Sequence, residues 1–265
     1  MEALRALGAP GRDARVQFFE GVKPESFGAG GMMAKAANPR APRSLSLRKP
    51  AGIVAIGLLT SLTTLSSAAE TETRDFQVTV DGKRAGDYRM TIQRLPDGSL
   101  SMSGRANVNV SYLIYRYQYS YQGTEIWRAG RLLQLNSRAF DDGKNYTLEA
   151  VAQPDGLLIQ ANGHQFIERS PVWTTTYWQL PDPRLRGPGL TLLDADTGRI
   201  LHGGWRAVGN ESLRVAGYVQ TCSHFALSTD RSKADLWYDG EDRLVREDCI
   251  EDGHRTVLSL MRLQR

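Results

Sequence analysis

Residues 76–92 read FQVTVDGKRAGDYRMTI. Phe76, Val78 and Val80 share one parity before Asp81-Gly82, and Tyr88, Met90 and Ile92 share one after it. Apolar residues at every second position mark half-buried strands. Asp-Gly tolerates the positive φ angles of a type I′ turn, whose twist suits two adjacent antiparallel strands. The stretch therefore predicts a β-hairpin. Asp-Gly recurs at 97–98, 142–143, 155–156, 239–240 and 252–253. Ala106, Val108, Val110 and Tyr112 alternate against Asn107, Asn109 and Ser111. Further strands are expected near 125–128, 131–140, 145–151, 156–161, 213–227, 234–238, 243–250 and 255–263. The fold class is mainly β: a single curved antiparallel meander sheet, half-barrel-like.

One region interrupts this pattern. Ser170-Pro171 reads as an N-cap followed by proline at the first helical position. A short helix over 171–179 would carry Trp173 and Tyr177 on one face, and Pro181 and Pro183 would end it. Residues 181–189, PDPRLRGPG, then form a rigid loop, with a second short helix or turn near 190–196. We find no internal repeat, so residues 70–265 are expected to be one β domain with a short helical insertion around 171–196.

Upstream, residues 51–69, AGIVAIGLLTSLTTLSSAA, hold no charge. Lys35, Arg40, Arg43, Arg48 and Lys49 precede them, and small residues Ser67, Ala68 and Ala69 close them. A basic region, an apolar core and a small-residue site make an export signal with cleavage after Ala69. A membrane span is the competing reading, but TSLTTLSSAA is rich in Ser and Thr, and no basic stop-transfer cluster follows. We expect an exported protein, periplasmic or extracellular, with no membrane span after cleavage. Residues 1–50 are leader, expected to be disordered, and Met32 or Met33 suits a start better than Met1.

Charge follows the same division. Residues 1–69 hold nine of the 33 Lys and Arg and four of the 29 Asp and Glu, leaving 24 basic and 25 acidic groups in residues 70–265. The basic isoelectric point belongs to the leader and gives no support for nucleic-acid binding.

Tyr115, Tyr117, Tyr119 and Tyr121 alternate with Arg116, Gln118 and Ser120. On a strand the four rings face one way and the polar residues the other. They either pack as ordinary sheet core beneath the insertion, against Trp173 and Trp178, or line a concave ligand surface together with Trp173, Tyr177 and Trp178. Tyrosine suits either role, being large, rigid and polar at one end.

Candidates for chemistry are weak. Cys222, His224, Cys249 and His254 are an inventory of metal ligands without zinc spacing. In a simple meander Cys222 falls opposite Asp239 and Cys249 opposite Ser232. The cysteines are then about 10 Å apart across the sheet and about 23 Å apart along it. A disulfide needs Cα atoms within about 7 Å, so either a loop breaks the meander or the thiols stay unbridged. No nucleophile elbow and no glycine-rich phosphate loop occurs. Asp239, Asp252, His254 and Arg255 lie at two turns on opposite edges of a meander and are expected to be exposed turn residues. We assign no catalytic residue, no metal and no cofactor. Asn109, Asn145 and Asn210 lie in glycosylation sequons, which matter only in a eukaryotic secretory pathway.

Trp237-Tyr238-Asp239-Gly240, Arg243-Leu244-Val245-Arg246 and Asp252-Gly253-His254-Arg255 together resemble an uncharacterised family of exported bacterial β-sheet proteins, a domain of unknown function. Val80-Asp81-Gly82-Lys83 with Ala85-Gly86, and the segment 171–178, are similar too, so the resemblance spans 75–263. It implies a single curved sheet like the half-barrel of periplasmic lipoprotein carriers, a cell-envelope location and a hydrophobic ligand, with no catalytic residue assigned.

Three functions follow in order of support. The first is a non-enzymatic envelope protein binding an apolar or lipid-like ligand, or an apolar segment of a partner. The second is a structural or assembly factor for protein partners. The third is a hydrolase using His254 or His224. The export reading makes a direct prediction: N-terminal sequencing of the exported protein begins at Glu70, and a mature chain that starts upstream of residue 51 would sink it.

Overall fold

Backbone geometry at the turns accounts for much of the architecture. In the computed structural model the described residues are 70–112, 115–251 and 253–265, without the side chains of Tyr112, Tyr115 and Glu251. The leader, the apolar core 51–69 and the cleavage site lie outside them. Asp81 and Gly82 have φ of 49° and 77°, and Asp142 and Gly143 of 42° and 91°, as two-residue type I′ hairpins require. Ala129-Gly130, Asn162-Gly163 and Ala216-Gly217 adopt the same pair of positive φ angles without an aspartate.

These turns and longer loops join β1 (Thr71–Val80), β2 (Lys83–Arg94), β3 (Leu100–Tyr112), β4 (Tyr115–Arg128), β5 (Arg131–Asp141), β6 (Lys144–Gln153), β7 (Gly156–Ala161) and β8 (His164–Glu168). The second half holds β9 (Val172–Thr174), β10 (Pro188–Leu193), β11 (Ile200–Val215), β12 (Tyr218–Thr229), β13 (Lys233–Tyr238), β14 (Leu244–Glu251) and β15 (His254–Gln264). All belong to one curved, unclosed sheet in the order β8-β7-β6-β5-β4-β3-β2-β1-β15-β14-β13-β12-β11-β10-β9. Two meanders thus meet where β1 pairs with β15, Thr73 opposite Gln264 and Val80 opposite Thr256. Among the described strands only β9 and β10 run parallel.

The meander reading is right in kind, with two corrections. The strand expected over 213–227 is two strands, because Ala216-Gly217 reverses the chain between β11 and β12. The helical insertion is absent: among the described residues the region holds β9, β10 and one 3₁₀ turn at Pro183–Leu185. Thr174, Thr175 and Thr176 form a β-branched run that disfavours helix. Thr174 and Thr176 also turn their hydroxyls to the same buried carboxylate, 3.1 and 2.7 Å away. Residues two apart share a face in extended chain and not in a helix. Tyr177, at φ 49°, interrupts any helical continuation.

The buried side chains follow the register. On β1 the inward row is Arg74, Phe76, Val78 and Val80, all buried. Phe76 stands opposite Tyr88, Tyr88 opposite Ala106, and Ala106 opposite Tyr121, carrying one buried line from β1 to β4. The segment from Val172 to Leu193 supplies the other side of the core, with Trp173, Leu192 and Leu193 all but inaccessible. Trp173 packs on Tyr177 and on Trp205, each at 5.1 Å between centroids. Trp205 in turn stacks on Phe225 at 4.7 Å.

Leu192 is fully buried, so truncation to Ala deletes core contacts and should cost about 2–5 kcal/mol. Val219 is 65% exposed, and its truncation should stay within about 0.5 kcal/mol of wild type. Urea unfolding of the two variants checks the contrast.

Candidate functional site

The inward row of β4 divides the interior in two. Its members are Tyr117, Tyr119, Tyr121, Gly123, Glu125 and Trp127, two residues apart throughout. The tyrosines border a cavity, and the glutamate, to which the tryptophan donates, holds the inserted segment. Gly123 marks the boundary, directly opposite Gly104 on β3. A Cβ at Gly123 would lie 2.1 Å from the Tyr121 hydroxyl oxygen, and one at Gly104 would lie 2.7 Å from that of Tyr88. Both rings therefore lie down along the sheet over a bare backbone. They meet edge to face, with centroids 6.4 Å apart.

Beyond the glycines Glu125 is completely buried. Its Oε1 accepts from Thr176 at 2.7 Å. Its Oε2 accepts from the indole N–H groups of Trp127 at 2.6 Å and Trp178 at 3.2 Å, and from Thr174 at 3.1 Å. Burial pushes this carboxyl above its ordinary value of 4.5, and the four donors pull against that. On β1 the buried Arg74 guanidinium donates to the carbonyl of Trp178 and, at 2.6 Å, to Glu72. Burial lowers the pKa of Arg74, while the Glu72 carboxylate opposes the shift. Ser137 donates to the carbonyl of Ala195, and the Tyr238 hydroxyl donates to that of Tyr177 at 3.0 Å. The inserted segment is thus tied to β1, β4, β5 and β13 by polar contacts inside the sheet.

On the tyrosine side a cavity of about 370 Å³ remains. Tyr117, Tyr119 and Tyr121 wall it from β4, and Val78, Val80 and Val108 from β1 and β3. Thr175, Tyr177 and the turn Asp194–Thr197 cover it from the inserted segment, and Glu247, Cys249 and Leu258 face it from β14 and β15. Tyr119 donates to Asp196 at 2.6 Å. Burial first, and the Asp196 carboxylate second, hold its hydroxyl well above the ordinary tyrosine pKa. The Tyr121 hydroxyl is buried without a hydrogen-bond partner.

Four of the seven residues singled out from sequence, Tyr117, Tyr119, Tyr121 and Tyr177, border this cavity. Tyr115 begins β4, and its side chain lies outside the described residues. Trp173 and Trp178 are core of the inserted segment and do not border it. Sequence reading missed Glu125, although it shares the parity of the tyrosines on the same strand. It also missed Asp194, Asp196 and Glu247, which only tertiary structure brings to the cavity.

The remaining candidates resolve as structural groups. Cys222 and Cys249 are buried, and no disulfide joins them. β13 lies between their strands, and Cys249 pairs with Ala234 rather than Ser232 because the connection between Tyr238 and its partner Leu244 is longer than a tight turn and the register shifts once more at Trp237/Tyr238. Among the described residues no group of three or more His, Cys, Asp or Glu could hold a metal. Both ring nitrogens of His224 meet carboxylates, Glu211 at 2.6 Å and Asp235 at 2.7 Å, and its ring stacks on Trp237. His254 faces Asp81 at 2.7 Å. Asp239 was expected to be exposed. It is 7% exposed and closes its own turn, accepting from the backbone N–H groups of Glu241 and Arg243 and from the Arg243 side chain.

A single curved antiparallel sheet around a cavity and an inserted segment defines a barrel-like β protein. The chain belongs to the family described as Domain of unknown function (DUF6134), which matches residues 76–260. No curated protein sequence matches it. Among solved structures, a beta-barrel-like protein of domain of unknown function DUF1849 from Brucella abortus is similar. It superposes with a TM-score of 0.54 at 11% identity, covering 73% of this chain and 97% of its own. A DUF1329 family protein from Desulfovibrio piger covers 75% of this chain and 86% of its own at 12% identity, but its TM-score is only 0.22. The likeness in fold rests on the first. Among the described residues no helix is long and apolar enough to cross a membrane.

Replacing Glu125 by Gln presents an amide N–H₂ to groups that are themselves donors. We expect a loss of about 1–3 kcal/mol near neutral pH, the range for disturbing a buried hydrogen-bonded group. The linkage has a definite sign. A carboxyl whose folded pKa is raised contributes stability below its unfolded value and loses it as pH rises through the folded value. The advantage of wild type over Glu125→Gln should therefore shrink from acid pH upward through that window, read by urea unfolding at a series of pH values.

Proposed function

We propose that this protein is a non-enzymatic, exported binder of an apolar or lipid-like ligand, held between the tyrosine row of β4 and the inserted segment. The cavity carries this reading. At about 370 Å³ it falls within the size range of small-molecule sites, and it combines aromatic and aliphatic walls with a few polar groups. A packed protein interior leaves few voids larger than a water molecule. Export is supported by the leader sequence, which would place the binder in the periplasm or outside the cell.

Tyr117 and Tyr119 are only partly buried, which suits residues that complete their burial against a ligand. The double variant Tyr117→Ala/Tyr119→Ala should remain folded and bind a neutral fluorescent naphthylamine probe at least about tenfold more weakly, a loss near 1.4 kcal/mol. Fluorescence titration alongside urea unfolding checks both halves. A double variant that fails to fold, or a wild type that never takes up the probe, defeats the binding reading and favours a solid-cored assembly factor for envelope protein partners.

A further inference from the structure

The cavity has a sign. Asp194 and Asp196 reach it from the turn of the inserted segment and Glu247 from β14, while its described lining contains no Lys, Arg or His. Of the tyrosines, Tyr119 already donates its one proton to Asp196, at 2.6 Å. The Tyr121 hydroxyl, buried without a partner, is left as a neutral group on the same wall. An anionic head placed here would be taken from water into a partly enclosed space beside carboxylates, with no cation in the described lining to compensate it. A cationic head meets the reverse situation, since carboxylates attract it and the π faces of tyrosines add to that attraction.

We propose that the ligand is a cationic amphiphile, with an amine or ammonium head on an apolar body, and that the site rejects carboxylate and phosphate heads. This rests on the binding function proposed above. It adds the head-group chemistry, which the tyrosine row by itself does not determine. Glu247 and Asp196 stand on separate elements, so the selectivity is a property of the assembled cavity and not of one loop.

The experiment is displacement of the neutral naphthylamine probe by dodecylamine, dodecanol and dodecanoate, each below its micellar concentration and in about 0.15 M salt to screen long-range attraction. Dodecylamine should displace the probe at a concentration at least tenfold lower than dodecanoate, with dodecanol between them. In the variant Glu247→Gln/Asp196→Asn, its folding checked by urea unfolding, the ratio between amine and carboxylate displacement should narrow at least severalfold relative to wild type. Equal or better displacement by dodecanoate overturns the inference, as does a gap that the double variant leaves unchanged. If dodecanol binds and the heads are not discriminated, only this inference fails. If neither dodecanol nor the probe binds, the apolar-ligand reading fails with it.

Discussion

One ionisable group without water organises the interior. Glu125 could not sit fully buried on the inner face of the sheet unless its oxygens were satisfied, because an unpaired carboxylate in that position costs several kcal/mol. Its donors come from two sources. Trp127 belongs to its own strand, while Thr174, Thr176 and Trp178 belong to the inserted segment. The carboxylate therefore sets the path of a segment roughly fifty residues further along the chain, and that segment in turn covers the core and one side of the cavity. Arg74 does the corresponding work from β1, at the carbonyl of Trp178. Two buried ionisable groups, Glu125 and Arg74, fix where the insertion lies, and apolar packing of Trp173 and Leu192 fills the space between.

The cavity follows from a local choice of small residues. Gly104 and Gly123 leave a patch of bare backbone where the rings of Tyr88 and Tyr121 lie flat along the sheet. Aromatic cover of strand glycines is a known way to preserve order where side chains are missing. Here it also keeps those rings low, so the space above them is not filled by the wall itself. Structural and functional readings of the tyrosines, which sequence alone sets against each other, separate by position along one strand: Tyr121 is core, while Tyr119 and Tyr117 are only partly buried.

Local chemistry made the sheet legible. Alternation and Asp-Gly gave the strands around 76–92, because turn geometry and pleat are properties of neighbouring residues. The break at Ala129-Gly130 falls between the strands expected at 125–128 and 131–140, whereas Ala216-Gly217 escaped notice because a glycine at the second position suffices for the turn once the flanking strands impose it. The inserted segment was misread for a different reason. Ser170-Pro171 is a fair helix start, but its competitor is a carboxylate on β4 that no local window contains. The polar side of the cavity was illegible in the same way, since Asp196 and Glu247 become neighbours of the tyrosines only after the sheet curves.

The seam between β1 and β15 has a consequence for how the molecule comes into being. Among the described strands every other antiparallel pairing joins strands that follow one another in the chain, whereas this one joins β1 to β15. Contacts between distant residues demand that the chain lose its freedom before the contact repays the loss, which slows folding. Until β15 exists, the ten-residue β1 is an open edge with unpaired N–H and C=O groups, able to pair with a strand of another molecule. The sheet is therefore complete only once β15 has been made, and the edge of β1 stays open until then.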